Sequence, residues 1–578
     1  MTRWSGLALA LSLAACSKGA QITHDAPPIP DAPPTCPGGP RRCEGNQLQR
    51  CGDDGQYHDA QLCEHACSPD LGCVLCVPGT GTCNSPSQSH ACNDAGTGWS
   101  DVDCDPVQGL TCGPTGVCDG ACAPHAIGTS YIGCEYFPTV TGNPVAQQFH
   151  FAVAVANTTE VNATITIEDG ALAKADVFMV PAHGVKVEIL PWQAALKLCM
   201  KDTNDECGLG VQAEGALVAR GAYHLRSTVP VTVYQFNPLE YRNVGSSTAY
   251  SATNDASLLF PATAWRAAYL AASWPPVATG YNPGELAVTA RNNGTRVTIT
   301  TRADTKAGGG APAFKAGVAQ TVTLDAGGVL EITSRTGDLT GSTVTADGPI
   351  QVIAGHYAAD VPVSVDFSDH LEESMFPIDA LGAKYVVTSP DVWTHTTVLP
   401  QIVRIIAVSD DTHLSYDPPQ PGAPATIAHG GEFVEIASST ASYVVTSDRK
   451  IMVAQYMEGS QATDDKTGDP SLALAVPVDQ FRKEYLFHAP VNYDSNYVDV
   501  VAPVGATVTL DGKPVTLVPI ATTGFALARV SPLEDGPAMD GNHSISGNQP
   551  FGITVYGYGK DTSYWYPGGL ELHEIVVN

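Results

Sequence analysis

Basic residues are scarce in this chain: 29 Lys and Arg stand against 59 Asp and Glu over 578 residues, a formal net charge of -30. A surface that acidic repels phosphates, and no basic cluster overrides it, so nucleic acid is not expected as a partner. Charged residues make up only 15% of the chain and hydrophobic ones 43%, which argues against disorder and against coiled coil. No run of some 18 apolar residues is present, so no membrane-spanning helix is expected in the mature protein. Catalytic signatures are lacking too. There is no His-Glu-x-x-His, no Gly-x-Ser-x-Gly and no glycine loop followed by Lys, and the chain is expected not to be an enzyme. The 16 His are scattered; His356 and His370 read as surface or satisfied core groups.

What the sequence does have is punctuation, with 56 Gly and 43 Pro, and an N-terminus with an address. Arg3 precedes a short apolar stretch from Leu7 to Leu13, and Leu13-Ala14-Ala15-Cys16 closes it. The stretch is too short to span a bilayer and reads as an export signal over 1–15. Small residues directly before a cysteine resemble the bacterial lipobox, which implies that Cys16 carries the lipid and becomes the mature N-terminus. The localisation expected is a cell envelope, lipid-anchored at the outer membrane or cell surface. Residues 16–35 contain Asp25-Ala26-Pro27-Pro28-Ile29-Pro30-Asp31-Ala32-Pro33-Pro34, a semi-rigid extended tether.

Cysteines define the next segment. Cys36, Cys43, Cys51, Cys63, Cys67 and Cys73 are followed by Cys76, Cys83, Cys92, Cys104, Cys112 and Cys118 with nearly the same spacings. Two disulfide-rich modules, 36–75 and 76–124, are therefore expected, small exported units that disulfides must stabilise. Two further pairs, Cys122 with Cys134 and Cys199 with Cys207, bring the expected disulfides to eight. Six cysteines allow fifteen pairings, so connectivity inside a module stays open. Zinc is set aside because exported thiols are rarely reduced, and no metal site is expected.

From about Gly128 the texture changes to short runs of Val, Ile, Thr and Tyr between turn residues, as in Thr164-Ile165-Thr166-Ile167 followed by Asp169-Gly170. That is strand-and-turn texture. A strand ending in an aromatic recurs as Val231–Phe236, Val352–Tyr357, Ile451–Tyr456 and Ile553–Tyr558. After the first three comes an apolar step into Pro261, Pro377 and Pro477, and Tyr269, Tyr385 and Tyr485 each fall eight residues beyond. Residues 125–578 are thus read as four units of about 100 residues. The fold class expected is all-β, tandem antiparallel sandwich-like repeats behind small disulfide-rich modules; the alternative is a β-propeller with two blades per unit.

The segments Gly128-Thr129-Ser130-Tyr131-Ile132-Gly133-Cys134-Glu135-Tyr136, Pro230–Pro238, Asn254–Pro261 and Ser563–Gly569 together resemble the IgGFc-binding protein N-terminal domain family over roughly residues 125 to 575. The resemblance is to the bacterial surface lipoproteins that carry this domain. The family name implies binding of an antibody constant region by an animal member, a ligand not carried over, because no contact residues map onto this chain. Function is expected to be display of the β array for binding or adhesion to an extracellular protein or glycan. The alternatives are an extracellular hydrolase working through acidic loop residues and a structural envelope protein. Those acidic residues are Asp360, Asp366, Asp369, Glu372 and Glu373 in one loop and Glu458, Asp464, Asp465 and Asp469 in the next. They read as solvated charge, with calcium as the competing use and no other cofactor expected. Gly468-Asp469-Pro470-Ser471 reads as a turn.

Overall fold

A computed structural model of the chain describes residues 36, 39–52, 54–93, 95–201, 207–242, 250–277, 282–391, 399–462, 468–530 and 532–577, with the side chains of 199–212 outside that description. Cys16, the tether, and the side chains of Cys199 and Cys207 therefore lie outside the described residues. Two compact bodies are present. One takes the described residues up to Cys83 together with Ser89–Val102 and Pro114–Val117; the other takes Asn84–Gln88, Asp103–Gly113 and Cys118 onward.

In the first cysteine run, Cys36 bonds Cys51, Cys43 bonds Cys67 and Cys63 bonds Cys73. Position one thus joins three, two joins five and four joins six. Cys76–Cys92 and Cys104–Cys118 repeat the first and last of these links in the second run, where Cys83 and Cys112 are disulfide-bonded as well. Cys122 bonds Cys134. Only three small strands, Arg41–Glu44, Gln47–Cys51 and Tyr57–Leu62, and one hairpin, Ala66–Ser68 with Gly72–Val74, accompany the first set. Their buried core is little more than Leu48 and the half-cystines Cys63 and Cys67, so covalent links substitute for apolar burial.

The second body is all-β and holds four units in tandem, over 133–259, 266–374, 384–474 and 482–567. In units one, two and four a single sheet is built around one long strand that pairs with different neighbours along its two halves. In unit one this is Tyr223–Asn237: its first half pairs with Ala163–Asp169 and its second half with Phe151–Asn157. Thr343–Ala359 and Asn542–Tyr558 repeat the arrangement, and in unit three the strand is broken into Tyr443–Ser447 and Ile451–Met457. Alternation explains the curl. Ala163, Ile165 and Ile167 face the core, with Thr164 and Thr166 between them facing outward, while the aromatic-ended halves are buried on both faces and carry a mainly apolar run for that reason.

The tyrosines in register with the prolines have one job in every unit. Tyr136, Tyr269, Tyr385 and Tyr485 are fully buried and donate to the carbonyls of Val231, Ile350, Ile451 and Phe551 on the long strand. In the last three units the same hydroxyl accepts the N–H of Arg266, Gly382 or Arg482, three residues earlier. Tyr269 also bridges to Pro377 and Tyr385 to Pro477, so these two corners reach the start of the following unit.

After its aromatic, each unit sends one more strand inward: Asp255–Leu259, Asp369–Ser374, Leu472–Leu474 and Ser563–Pro567. These inner strands adjoin in sequence order, and the fourth also lies against the first. The four units therefore close into a ring. Strand Gly215–Val218 of unit one pairs with Val329–Ser334 of unit two, and the C-terminal segment bonds back through Glu571 N to Gln480 O and Ile575 N to Asp379 O. No helix among the described residues is long and apolar enough to cross a membrane.

Candidate binding clefts and a buried acidic seam

The stretches that the sequence presents as acidic loops turn inward. Asp369, Glu372 and Glu373 lie on an inner strand and are fully buried, Asp469 nearly so. This corrects the reading of solvated charge: in this ring the backbone groups at the centre need acceptors, and carboxylates supply them. Glu458 is buried too, Asp366 is exposed, and Asp360 is partly buried with a 2.6 Å bond from Ser368 Oγ. Asp464 and Asp465 lie outside the described residues.

The residue at the centre is one the sequence reading passed over. Asp255 of unit one accepts five hydrogen bonds. Oδ1 takes Ala256 N at 3.0 Å, Ser471 Oγ at 2.7 Å and Trp565 N at 3.2 Å, and Oδ2 takes Glu372 N and Leu472 N, both at 3.1 Å. One side chain thus binds the inner strands of all three other units. Burial pushes its carboxyl up, and the donors from Ser471, Glu372, Leu472 and Ala256 pull the other way. Asp369 works in the same manner on unit four, accepting Thr562 Oγ1 at 2.8 Å and Ser563 N at 3.1 Å. Asp469 accepts Ser460 N at 3.0 Å while its own N–H donates to Ser563 Oγ; burial raises its carboxyl to about 7. The signal was available: an Asp six or eight residues before Pro261, Pro377 and Pro477.

A second polar concentration lies where units one and two meet. The chain over 137–145 is buried yet belongs to no sheet, so its backbone must find side-chain partners. Gln235 takes Thr139 N and donates to Thr139 O, both at 3.0 Å; Gln351 donates to Phe137 O at 2.9 Å; Glu331 Oε1 accepts Gly142 N at 2.8 Å. Beneath this strap runs a cross-strand row, Thr333, Glu285, Gly355 and Glu372. Gly355 is required there, because a Cβ would stand 1.8 Å from Leu371 O. Glu372 is saturated by Gln235, Asn237, Ser257 and Thr141. Glu285 is not: neither of its oxygens meets a hydrogen-bond partner, nor do Glu331 Oε2, His370 Nδ1 or His356 Nε2. The two histidines are fully buried with an unfilled ring nitrogen each, unlike the satisfied or surface groups their scatter suggests. Among the described residues no three His, Cys, Asp or Glu side chains are grouped to hold a metal ion.

Open clefts lie elsewhere. One of about 370 Å³ lies between units one and four, lined on one side by Ile132, Thr158 and His183 and on the other by Glu484, Thr509 and Ser546. Glu484 and Thr509 flank Ser546 on the two neighbouring strands, which makes a polar row three strands wide. His183 sits at φ 54° on the opposite wall, paired with Glu160 at 3.0 Å. Another cleft, of about 510 Å³, belongs to unit four alone, with Leu510, Val515, Ala528 and Leu533 inside and Lys513 and Glu534 paired at 2.7 Å. Both volumes are in the range of small-ligand sites.

Comparison with known proteins places these features in context. The sequence profile of the family described as IgGFc binding protein matches residues 255–557, from the Asp255 carboxylate to the last aromatic-ended strand. The human IgGFc-binding protein is 33% identical over 135 residues, 23% of this chain and 2% of that protein. The chain thus spans a small fraction of the relative it matches.

Proposed function

Because the chain belongs to the IgGFc binding protein family, we propose that it is an extracellular binding protein that recognises a protein or glycan through the outer surface of its four-unit ring. In the same reading, lipid at Cys16 and the proline-rich tether hold it at a cell surface. The observation that carries this is the direction of the chemistry. The inner carboxylates Asp255 and Asp369 are occupied by bonds to neighbouring inner strands, while the cleft between units one and four turns hydroxyls, the Glu484 carboxylate, the His183 imidazole and apolar side chains outward, a mixed lining that suits contact with a polar partner. A rigid array offering such surface works by contact area. The partner in the relative's name is not carried over, since the shared stretch is 2% of that protein.

The test uses the Cys16→Ser chain as bait against extracellular proteins and a glycan array. Ser546→Trp, which fills the cleft, should then weaken capture at least tenfold with an unchanged unfolding midpoint. Capture unaffected by that variant rules out the cleft, and absence of any specific partner sinks the binding reading. Cell fractionation of Cys16→Ser addresses the anchor separately: a variant that stays with membranes refutes lipidation.

A further inference from the structure

The buried carboxyls under the 137–145 strap have no use in binding. Three carboxyl groups, Glu285, Glu331 and Glu372, converge on one dry face with at most 2% exposure each. Glu372 faces four donors and is complete as an anion. Glu285 and Glu331 between them leave three oxygens without a hydrogen bond, the hydroxyl of Thr141 beside Glu285 being committed to Glu372 at 2.8 Å, although buried carboxylates must have donors or lose their charge. A proton on each carboxyl removes the charge that lacks donors without a further residue.

The neighbouring elements offer little countercharge. The inner strand contributes His370, whose Nδ1 stands 3.9 Å from Glu285 Oε1 and whose Nε2 stands 3.5 Å from Glu372 Oε2. The end of the long strand contributes His356 and Tyr357, one neutral by burial and the other a phenol without a partner. Unit one contributes the uncharged Gln235 and Asn237, and the strap contributes Thr141 and Gly142. Lys197 directs its ammonium at Val145 O, and Arg335 is engaged with Glu214. Among the described residues His370 is the single group capable of positive charge within ion-pair distance of Glu285, and none is within that distance of Glu331. No metal-binding group is present among them either.

We propose that Glu285 and Glu331 are carboxylic acids at neutral pH and that this uncharged state is the latch of the strap between units one and two, closing the seam in acid and weakening it in alkali, when buried charge would appear beneath the strap. Burial, with the charges of Glu331 and Glu372 beside Glu285 and that of Glu372 beside Glu331, acts in the same direction. The sign follows from linkage. The folded state holds protons that the unfolded chain releases near the ordinary carboxyl value, so stability is greatest at or below that value and declines as pH rises toward the folded-state value. Each retained proton makes folding about tenfold less favourable per pH unit across that window. His356 and His488, held down to about 3 and about 4 by burial, oppose this below the ordinary histidine range. Asp469, raised to about 7, adds to it. The informative quantity is therefore the difference between wild type and variant.

Denaturant unfolding of the full soluble chain is measured from about pH 5 to about pH 9 for wild type, Glu285→Gln and Glu285→Gln with Glu331→Gln. Gln keeps the shape and cannot ionise. The single variant should flatten the fall by about tenfold per pH unit and the double by about a hundredfold, and exchange of the Gly142 amide should lose its excess acceleration in alkali. Parallel profiles in all three proteins overturn the proposal. So does a rise in the wild-type midpoint on adding calcium or zinc to chelator-treated protein that Glu285→Gln abolishes, because a cation would then fill the seam. Should the variants fail to fold, difference infrared spectroscopy of the wild type decides: protonated-carboxyl absorption at neutral pH supports the latch, and its absence refutes it.

Discussion

Replacing Asp255 by Ala should open the ring. The side chain accepts hydrogen bonds from Glu372 N, Ser471 Oγ, Leu472 N and Trp565 N, four donors on three other units, all at buried positions. A buried donor stripped of its partner costs about 1–3 kcal/mol. Four of them total about 4–12 kcal/mol, against roughly 5–15 kcal/mol for the whole stability of an ordinary domain. Asp255→Asn keeps one acceptor oxygen and turns an amide group toward the remaining donors, so its loss should be about half that of Ala. Urea unfolding followed by tryptophan fluorescence suits the question, since Trp565 lies in the ring and its N–H is one of the orphaned groups. Asp366→Ala, at an exposed carboxylate, should stay within about 0.5 kcal/mol of wild type. The argument is refuted if Asp255→Ala also stays within that margin, because the inner strands would then hold together without their shared acceptor.

Tyr385→Phe removes a bond to Ile451 O and leaves Gly382 N without its acceptor, so the urea midpoint should fall by the equivalent of about 1–3 kcal/mol with an unchanged slope. Reductant should expose the cysteine-rich segment while sparing the ring. The core of that segment is Leu48 with half-cystines, whereas the array carries a large apolar core. Limited proteolysis after reduction should cut before residue 134 and leave a resistant fragment from about residue 134 onward; simultaneous loss of both would contradict this.

What was legible in the sequence was what repeats. Tyr269, Tyr385 and Tyr485 stand out because a corner hydroxyl must reach the same carbonyl in each unit, and that geometry fixes the spacing from the proline. Strands were legible where one face is wet, as in Thr164–Ile167, and the half-cystine spacings betrayed a repeated pattern although not its links. The centre was not legible. Asp369-His370-Leu371-Glu372-Glu373-Ser374 has the composition of a surface loop, and only the closing of four units around it removes it from water. Tertiary context overrides composition there. The same holds for the strap: nothing in 137–145 predicts burial, because its partners Gln235, Glu331 and Gln351 lie about 90 to 215 residues away.

The contact between the first and last inner strands also constrains how such a protein can evolve. An open solenoid lengthens by copying a single module, since its end always accepts another. Here both ends are already used against each other, and a fifth copy would meet no free edge at the axis. Copying a single unit would force the ring to open and re-curve and would leave one inner strand beyond the reach of Asp255, whereas copying the whole set of four leaves every inner strand with its neighbours and each ring with its own central aspartate.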